Sequence, residues 1–145
     1  MSDNIVRLKL LLEEMKASDP AALQLAHIVD HMRAPLVYAK ETGIIVWVNR
    51  AAREFFGYGF HELEGQPISI LIPDRMQGAH EAAFRRRVSQ DLATNVKVTD
   101  VTISSIARMK DGTEKLVIIR MSSHRTNGTV TYTASFEERP DVTVA

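Results

Sequence analysis

The stretch NRAAREFFGYGFHELEGQPISILIPD, residues 49–74, decides the fold of this 145-residue chain. Asn49 is suited to cap a short helix across Arg50–Phe56, because its side-chain oxygen accepts a free N–H of the first turn. Gly57 is suited to end that helix, since glycine adopts the left-handed conformation at no steric cost. Gly65 predicts a second stop of the same kind. The stretch therefore indicates short helical segments separated by glycine turns.

A longer helix is predicted to follow. It begins near Pro73 and Asp74, where Asp74 and Gln77 have the spacing of a capping box, and it runs to about Leu92.

Five segments have the composition of β-strands, rich in β-branched and aromatic residues and bounded by Gly or Asn turns. They are Leu36–Ala39, Ile44–Val48, the region of Val101 and Ile103, Leu116–Met121, and Val130–Phe136. The element order predicts an α+β fold: a five-stranded antiparallel sheet with helices on one face. Leu116–Met121 is apolar on both faces, so a second cover is expected on the outer face, from the N-terminal helix or a partner subunit.

The N-terminus carries an apolar stripe with heptad-like spacing, which predicts an amphipathic helix. Its members are Ile5, Leu8, Leu12 and Met15. Pro20 suits the first position of a second helix. We expect a helical extension over residues 1–25, one domain over residues 26–139 and a tail over residues 140–145.

Composition excludes several classes of function. Lys plus Arg (18) balances Asp plus Glu (18), so no overall field attracts nucleic acid or a membrane. The longest apolar runs are too short to span a bilayer and no signal-peptide core is evident, which predicts a cytoplasmic protein. Cysteine is absent, which removes disulfides, thiolate metal sites and cysteine nucleophiles.

The opening stretch, the element order and Lys110-Asp111-Gly112 together resemble the PAS family over roughly His27 to Glu138. The resemblance implies a sensory module rather than an enzyme. It implies a homodimer that regulates an output partner, such as the histidine kinase of a two-component system or a cyclase. It also implies that any ligand lies between the long helix and the inner face of the sheet. We expect the dimer interface to comprise Ile5, Leu8, Leu12, Met15, Val117 and Ile119.

His80 is the main candidate for chemistry. On the predicted long helix it shares one stripe with Met76, Ala83, Phe84 and Arg87, so it is expected to face the interior. A neutral imidazole there is able to ligate iron. The alternative is a core histidine that hydrogen-bonds a backbone carbonyl. The small neighbour Gly78 is expected to have a packing reason, such as the close approach of a flat macrocycle.

The resemblance extends to the haem PAS domains of oxygen-sensing kinases, which carry their proximal His seven residues after the Pro that corresponds to Pro73. His80 has that spacing. Arg86 stands where those sensors place an Arg near a haem propionate, and Phe84 is expected in the same pocket. Ile103 replaces their distal Arg, which puts oxygen stabilisation in doubt and favours NO, CO or redox sensing.

Two further possibilities concern other chemistry. Trp47 is a candidate for a flavin pocket as in redox PAS sensors, although a core Trp is the simpler interpretation; the light-sensing flavin subfamily needs a thiol, which the chain lacks. A small enzyme with an acid or base in the pocket is a third class, with His80 and Asp100 as candidates.

Overall fold

The structure is a computed structural model that describes residues 20–94, 98–126 and 128–139. In chain order the elements are helix α1 (Pro20–His31), strands β1 (Leu36–Lys40) and β2 (Ile45–Val48), helix α2 (Arg50–Phe56), a 3-10 turn (Ile68–Leu71), helix α3 (Asp74–Ala93), and strands β3 (Val98–Arg108), β4 (Glu114–Thr126) and β5 (Thr129–Glu138). The predicted stripe of Ile5, Leu8, Leu12 and Met15 lies outside the described residues, as does most of the predicted extension and the C-terminal tail.

The five strands form one antiparallel sheet in the order β2-β1-β5-β4-β3, which confirms the predicted α+β fold. Its register places inward-facing residues in rows across the strands, because side chains alternate faces with a period of two. In one row Ile103 lies opposite Ile119, which lies opposite Phe136. Two helices pack on this face: Phe56 of α2 contacts Phe136, and Phe84 of α3 contacts Tyr132.

Asn49 joins three segments at the start of α2. Its side-chain oxygen accepts the N–H groups of Ala52 at 3.0 Å and Leu36 at 2.9 Å. Its amide nitrogen donates to the carbonyls of Val29 at 3.0 Å and Ala34 at 2.9 Å. The predicted cap is confirmed, and the same side chain also ties the end of α1 to the start of β1.

The predicted helix stop at Gly57 is confirmed, whereas Gly65 lies in a turn that no helix directly precedes, and the predicted capping box is wrong in detail. Gly57 ends α2 with φ of 84°, and Gly65 has φ of 85°. Helix α3 begins at Asp74 as predicted, but Pro73 is its N-cap and supplies no side-chain bond. The Gln77 amide instead donates to the carbonyls of Ser69 and Ile72, at 3.0 and 3.1 Å, and to the Asp74 carboxylate. Gln77 therefore holds the 3-10 turn against α3.

Val117 and Ile119 do not lie on the outer face, so their assignment to a dimer interface is corrected. They are 0% and 8% exposed and belong to the core on the inner face. The residues of opposite parity, Leu116 and Ile118, are half-buried. Because all four residues of Leu116–Ile119 are apolar, this part of the strand carries no alternation that shows which parity faces inward.

Candidate ligand-binding site

A cavity of about 360 Å³ lies between α3 and the inner face of the sheet, where the resemblance placed a ligand. Rows of inward-facing residues from β1, β3, β4 and β5 form its floor, and α3 forms its roof. The floor residues are Val37, Ala39, Val101, Ile103, Ile119, Met121, Tyr132, Ala134 and Phe136. The volume is near the lower end of the roughly 300–1,000 Å³ range of small-molecule pockets, and the floor is almost wholly apolar.

Four predicted pocket residues line this cavity: His80, Phe84, Arg86 and Ile103. The first three project from the roof helix; helical spacing predicted this for His80 and Phe84, and the resemblance implied it for Arg86. Ile103 lies on the edge strand β3, and its side chain is 42% exposed, so the cavity is open along that edge.

His80 is half-buried, and its Nδ1 atom is shielded from solvent without a hydrogen-bond partner among the described residues. The backbone carbonyl expected for a core histidine is therefore not engaged by that atom. Burial lowers the pKa of His80, while the neighbouring Glu81 carboxylate opposes the effect, so the neutral imidazole is favoured. The ring lies nearly parallel to Phe84, with centroids 6.4 Å apart. An unpaired buried polar atom is uncommon and marks His80 as a candidate for ligand contact.

A polar cluster closes the cavity near the C-terminal end of α3. Asp91 accepts hydrogen bonds from the Arg87 guanidinium at 3.0 Å and from the Tyr132 hydroxyl at 2.9 Å. Burial alone would raise the pKa of Asp91, but these two hydrogen bonds and the Arg87 charge outweigh it and lower the pKa. Burial and the Asp91 carboxylate raise the pKa of Tyr132. The cluster therefore holds a carboxylate in the charged form and fixes α3 to β5.

The N-terminal end of α3 is attached to the sheet through charged side chains. Asp74 accepts a hydrogen bond from Arg108 of β3 at 2.6 Å. Arg75 donates two bonds to the Glu114 carboxylate of β4, both at 2.7 Å. The roof helix is thus tied down at both ends, with the cavity beneath its middle.

Trp47 does not line the cavity, so the flavin hypothesis loses its predicted residue. It is 4% exposed and lies opposite Tyr38 in the sheet. Tyr38 has the opposite parity to Val37 and Ala39, which are part of the cavity floor. A register shift between Tyr38 and Ala39 determines which residues of β2 face inward. The sequence pattern does not predict this shift.

Two other expectations about this helix and strand are wrong. Gly78 has no packing role, because a Cβ atom added there would meet nothing within 4 Å. Asp100 is exposed and accepts a hydrogen bond from Ser122 at 2.6 Å, and its parity on β3 is opposite to that of Val101 and Ile103. Asp100 is therefore not a pocket residue.

The sequence interpretation missed the partnership of Asp91, Arg87 and Tyr132. One local signal existed, because Arg87 and Asp91 have the i, i+4 spacing of a helical ion pair. Tyr132 joins them only through tertiary contact from β5, which no local pattern encodes. Among the residues that the structure describes, no cluster of three potential metal ligands is formed. Within the same ranges, no helix combines the length and apolar character needed to cross a bilayer.

The fold and cavity define an α+β domain with an internal pocket of ligand size. The sequence profile of the PAS fold matches residues 23–135, so the chain belongs to the PAS family. Domains of this family are in general sensory modules without a catalytic activity of their own. No curated protein matches the chain.

Solved structures with the same fold have low sequence identity. A PAS domain from Colwellia psychrerythraea is 15% identical, with a TM-score of 0.70 over 84% of this chain and 99% of that one. A PAS domain from a two-component sensor histidine kinase is 13% identical, with a TM-score of 0.65 over 82% and 97%. The PAS domain of the RpfR quorum-sensing receptor of Cronobacter turicensis, solved in complex with BDSF, is 14% identical, with a TM-score of 0.58 over 74% and 95%.

Proposed function

We propose that this domain is a cytoplasmic sensor in which a small molecule, bound between α3 and the sheet, regulates an output partner such as a histidine kinase or cyclase. The observation that carries the proposal is the cavity itself, which has apolar walls and a few polar groups at its margin. Related domains from a histidine kinase and from a quorum-sensing receptor support an output of this kind.

Two alanines on α3 provide a matched test of ligand binding. Both are exposed, but Ala83 lines the cavity whereas its neighbour Ala82 does not. In the Ala83→Trp variant the indole is expected to occupy the cavity, and the Ala82→Trp indole is expected to remain in solvent. Native mass spectrometry of gently purified protein, followed by solvent extraction, should detect a bound small molecule in the wild type and in Ala82→Trp only. Equal occupancy in all three proteins would contradict the proposed site.

Self-association is the second part of the proposal. The stripe of Ile5, Leu8, Leu12 and Met15, together with Leu116 and Ile118 on the outer face, forms the proposed dimer surface. Leu8→Asp should shift the sedimentation coefficient toward that of a monomer, because it places a charge in an apolar seam. Lys9→Asp is the control, since Lys9 lies off the stripe. A wild-type protein that is monomeric at high concentration would contradict the proposal.

A second candidate function is haem-based gas or redox sensing, with His80 as the iron ligand. The observation that favours it is the His80 imidazole at the cavity, with an Nδ1 atom that no described residue engages. His80 would hold the iron, Arg86 would pair with a carboxylate of the macrocycle, and Ile103 would contribute an apolar wall. Haem would supply reversible binding of a diatomic gas or of an electron.

The small cavity favours the first candidate over haem. A visible absorption spectrum of protein produced with ample iron separates the two. A Soret band that changes in the His80→Ala variant would support haem binding. A colourless protein that does not take up added haemin, or a bound haem whose spectrum is unaffected by His80→Ala, would remove this candidate.

A further inference from the structure

The charges around the cavity are not balanced. Two guanidinium groups, those of Arg86 and Arg87, line it. Arg87 is paired with the Asp91 carboxylate at 3.0 Å, and both side chains are largely buried. No carboxylate among the described residues forms a hydrogen bond or ion pair with Arg86, which is exposed at the cavity margin.

The other polar groups at the cavity do not cancel this charge. His80 is favoured in its neutral form because it is half-buried. Gln90 and Ser105 are uncharged, and the remaining lining residues are apolar apart from Tyr132, whose hydroxyl is bonded to Asp91. The cavity therefore presents one uncompensated positive charge beside an apolar interior.

We propose that the cavity binds a small amphiphilic monoanion, with its apolar body against the sheet and its carboxylate on Arg86. The inference rests on the proposed function, because it specifies the ligand of the same pocket. A charge-assisted hydrogen bond between a guanidinium and a carboxylate is stronger than a neutral one, particularly beside a low-dielectric wall. A cationic ligand would meet the repulsion of Arg86, and a dianion would bring one more charge than Arg86 neutralises.

Three probes with the same ten-carbon chain separate the contribution of the head group from that of the chain. Decanoate, decanol and decylammonium are titrated into the full chain by calorimetry, at concentrations below self-assembly of the probe. Decanoate should bind about tenfold more tightly than decanol, which is the effect of a partly exposed charge-assisted bond. Decylammonium should bind more weakly than decanol.

Arginine variants test whether Arg86 is responsible. Arg86→Gln should abolish the difference between decanoate and decanol, and Arg86→Glu should make decylammonium the preferred probe. Arg85→Gln is the matched control, because Arg85 is an exposed neighbour that does not line the cavity, and it should leave all three affinities unchanged. These positions are exposed, so the variants are expected to fold.

The outcomes distinguish this inference from the proposed function. If decanol binds as tightly as decanoate, and Arg86→Gln changes neither, the anionic head group is refuted while the ligand pocket stands. The same conclusion follows if Arg85→Gln weakens decanoate as much as Arg86→Gln does. If no probe binds and solvent extraction also finds no ligand, both the inference and the proposed pocket function are refuted.

Discussion

The hydroxyl of Tyr132 provides the sharpest test of how the roof helix is held to the sheet. It donates to Asp91 Oδ2 at 2.9 Å, and Tyr132 is only 2% exposed. A hydrogen bond to a charged acceptor contributes about 1.5–3 kcal/mol. Because Asp91 keeps its bond to Arg87 in the Tyr132→Phe variant, the lower part of this range applies. We expect a loss of about 2 kcal/mol in the free energy of unfolding, with no change in ring volume.

Urea denaturation at neutral pH measures this loss. An unchanged slope of the unfolding free energy against urea concentration would show that only stability has altered. Thermal unfolding should move down by roughly 6 °C for a domain of this size. The control is Tyr38→Phe, because Tyr38 lies on the outer face and its hydroxyl has no hydrogen-bond partner among the described residues. That change should cost less than about 0.5 kcal/mol. If the two variants lose equal stability, the proposed role of the Tyr132 hydroxyl is refuted.

The pH dependence of the same variant has a defined sign. Asp91 has a lowered pKa in the folded protein, so its contribution to stability is present above the ordinary pKa of 3.8 and is lost as pH falls through the folded-state value. The difference between wild type and Tyr132→Phe should therefore shrink in acid. In an Asp91→Asn background the hydroxyl should matter less, with a coupling energy of about 1 kcal/mol. Additive losses would show that the two groups do not act together.

Three other predictions concern separate parts of the fold. Asn49→Ala removes the four hydrogen bonds of a buried side chain and should lower the free energy of unfolding by about 3–5 kcal/mol, measured by urea denaturation. A loss below about 1 kcal/mol would show that water replaces the amide. The pKa of His80 is lowered, so the stability of the neutral imidazole is fully present above the ordinary pKa of 6.5 and is lost as pH falls toward the folded-state pKa. His80→Gln should flatten this part of the plot of unfolding free energy against pH. An unchanged plot would contradict the lowered pKa of His80. Gly78→Ala should raise the free energy of unfolding by up to about 1 kcal/mol, because Ala favours the helix. Gly57→Ala should lower it by about 1 kcal/mol, because φ is positive at Gly57 but not at Gly78. Thermal unfolding compares the two variants, and equal effects would refute the backbone argument.

Local patterns were sufficient for the elements and for the roof of the cavity. The alternation that includes Tyr132, Ala134 and Phe136 predicted their common face, since a strand with polar residues on one side has only one stable orientation. Helical spacing likewise placed His80 and Phe84 together. Both predictions rest on periodicities of the backbone, which a sequence displays directly.

The wrong predictions concern residues whose positions the hydrophobic periodicity does not determine. The strand that contains Val117 and Ile119 is apolar on both parities, so the choice of inner face depends on packing against α2. Trp47 was a pocket candidate only by resemblance to redox sensors, and its 4% exposure agrees with the simpler interpretation of a core Trp. The bond between Asp91 and Tyr132 joins residues 41 positions apart, and such a contact exists only once the sheet and α3 have assembled.

The two attachments of α3 differ in how firmly they hold, and this determines which end is able to move when a ligand enters. At the N-terminal end the Asp74 side chain is 82% exposed, so water and salt screen its pairing with Arg108. At the C-terminal end the Asp91 side chain is only 10% exposed, and separating it from Arg87 would leave buried charges uncompensated. We therefore expect a ligand that needs more room to displace the N-terminal half of α3 rather than the C-terminal half. That half is bonded to β3 and β4, so we expect its displacement to act on the strand that carries Leu116 and Ile118 on the opposite face of the sheet.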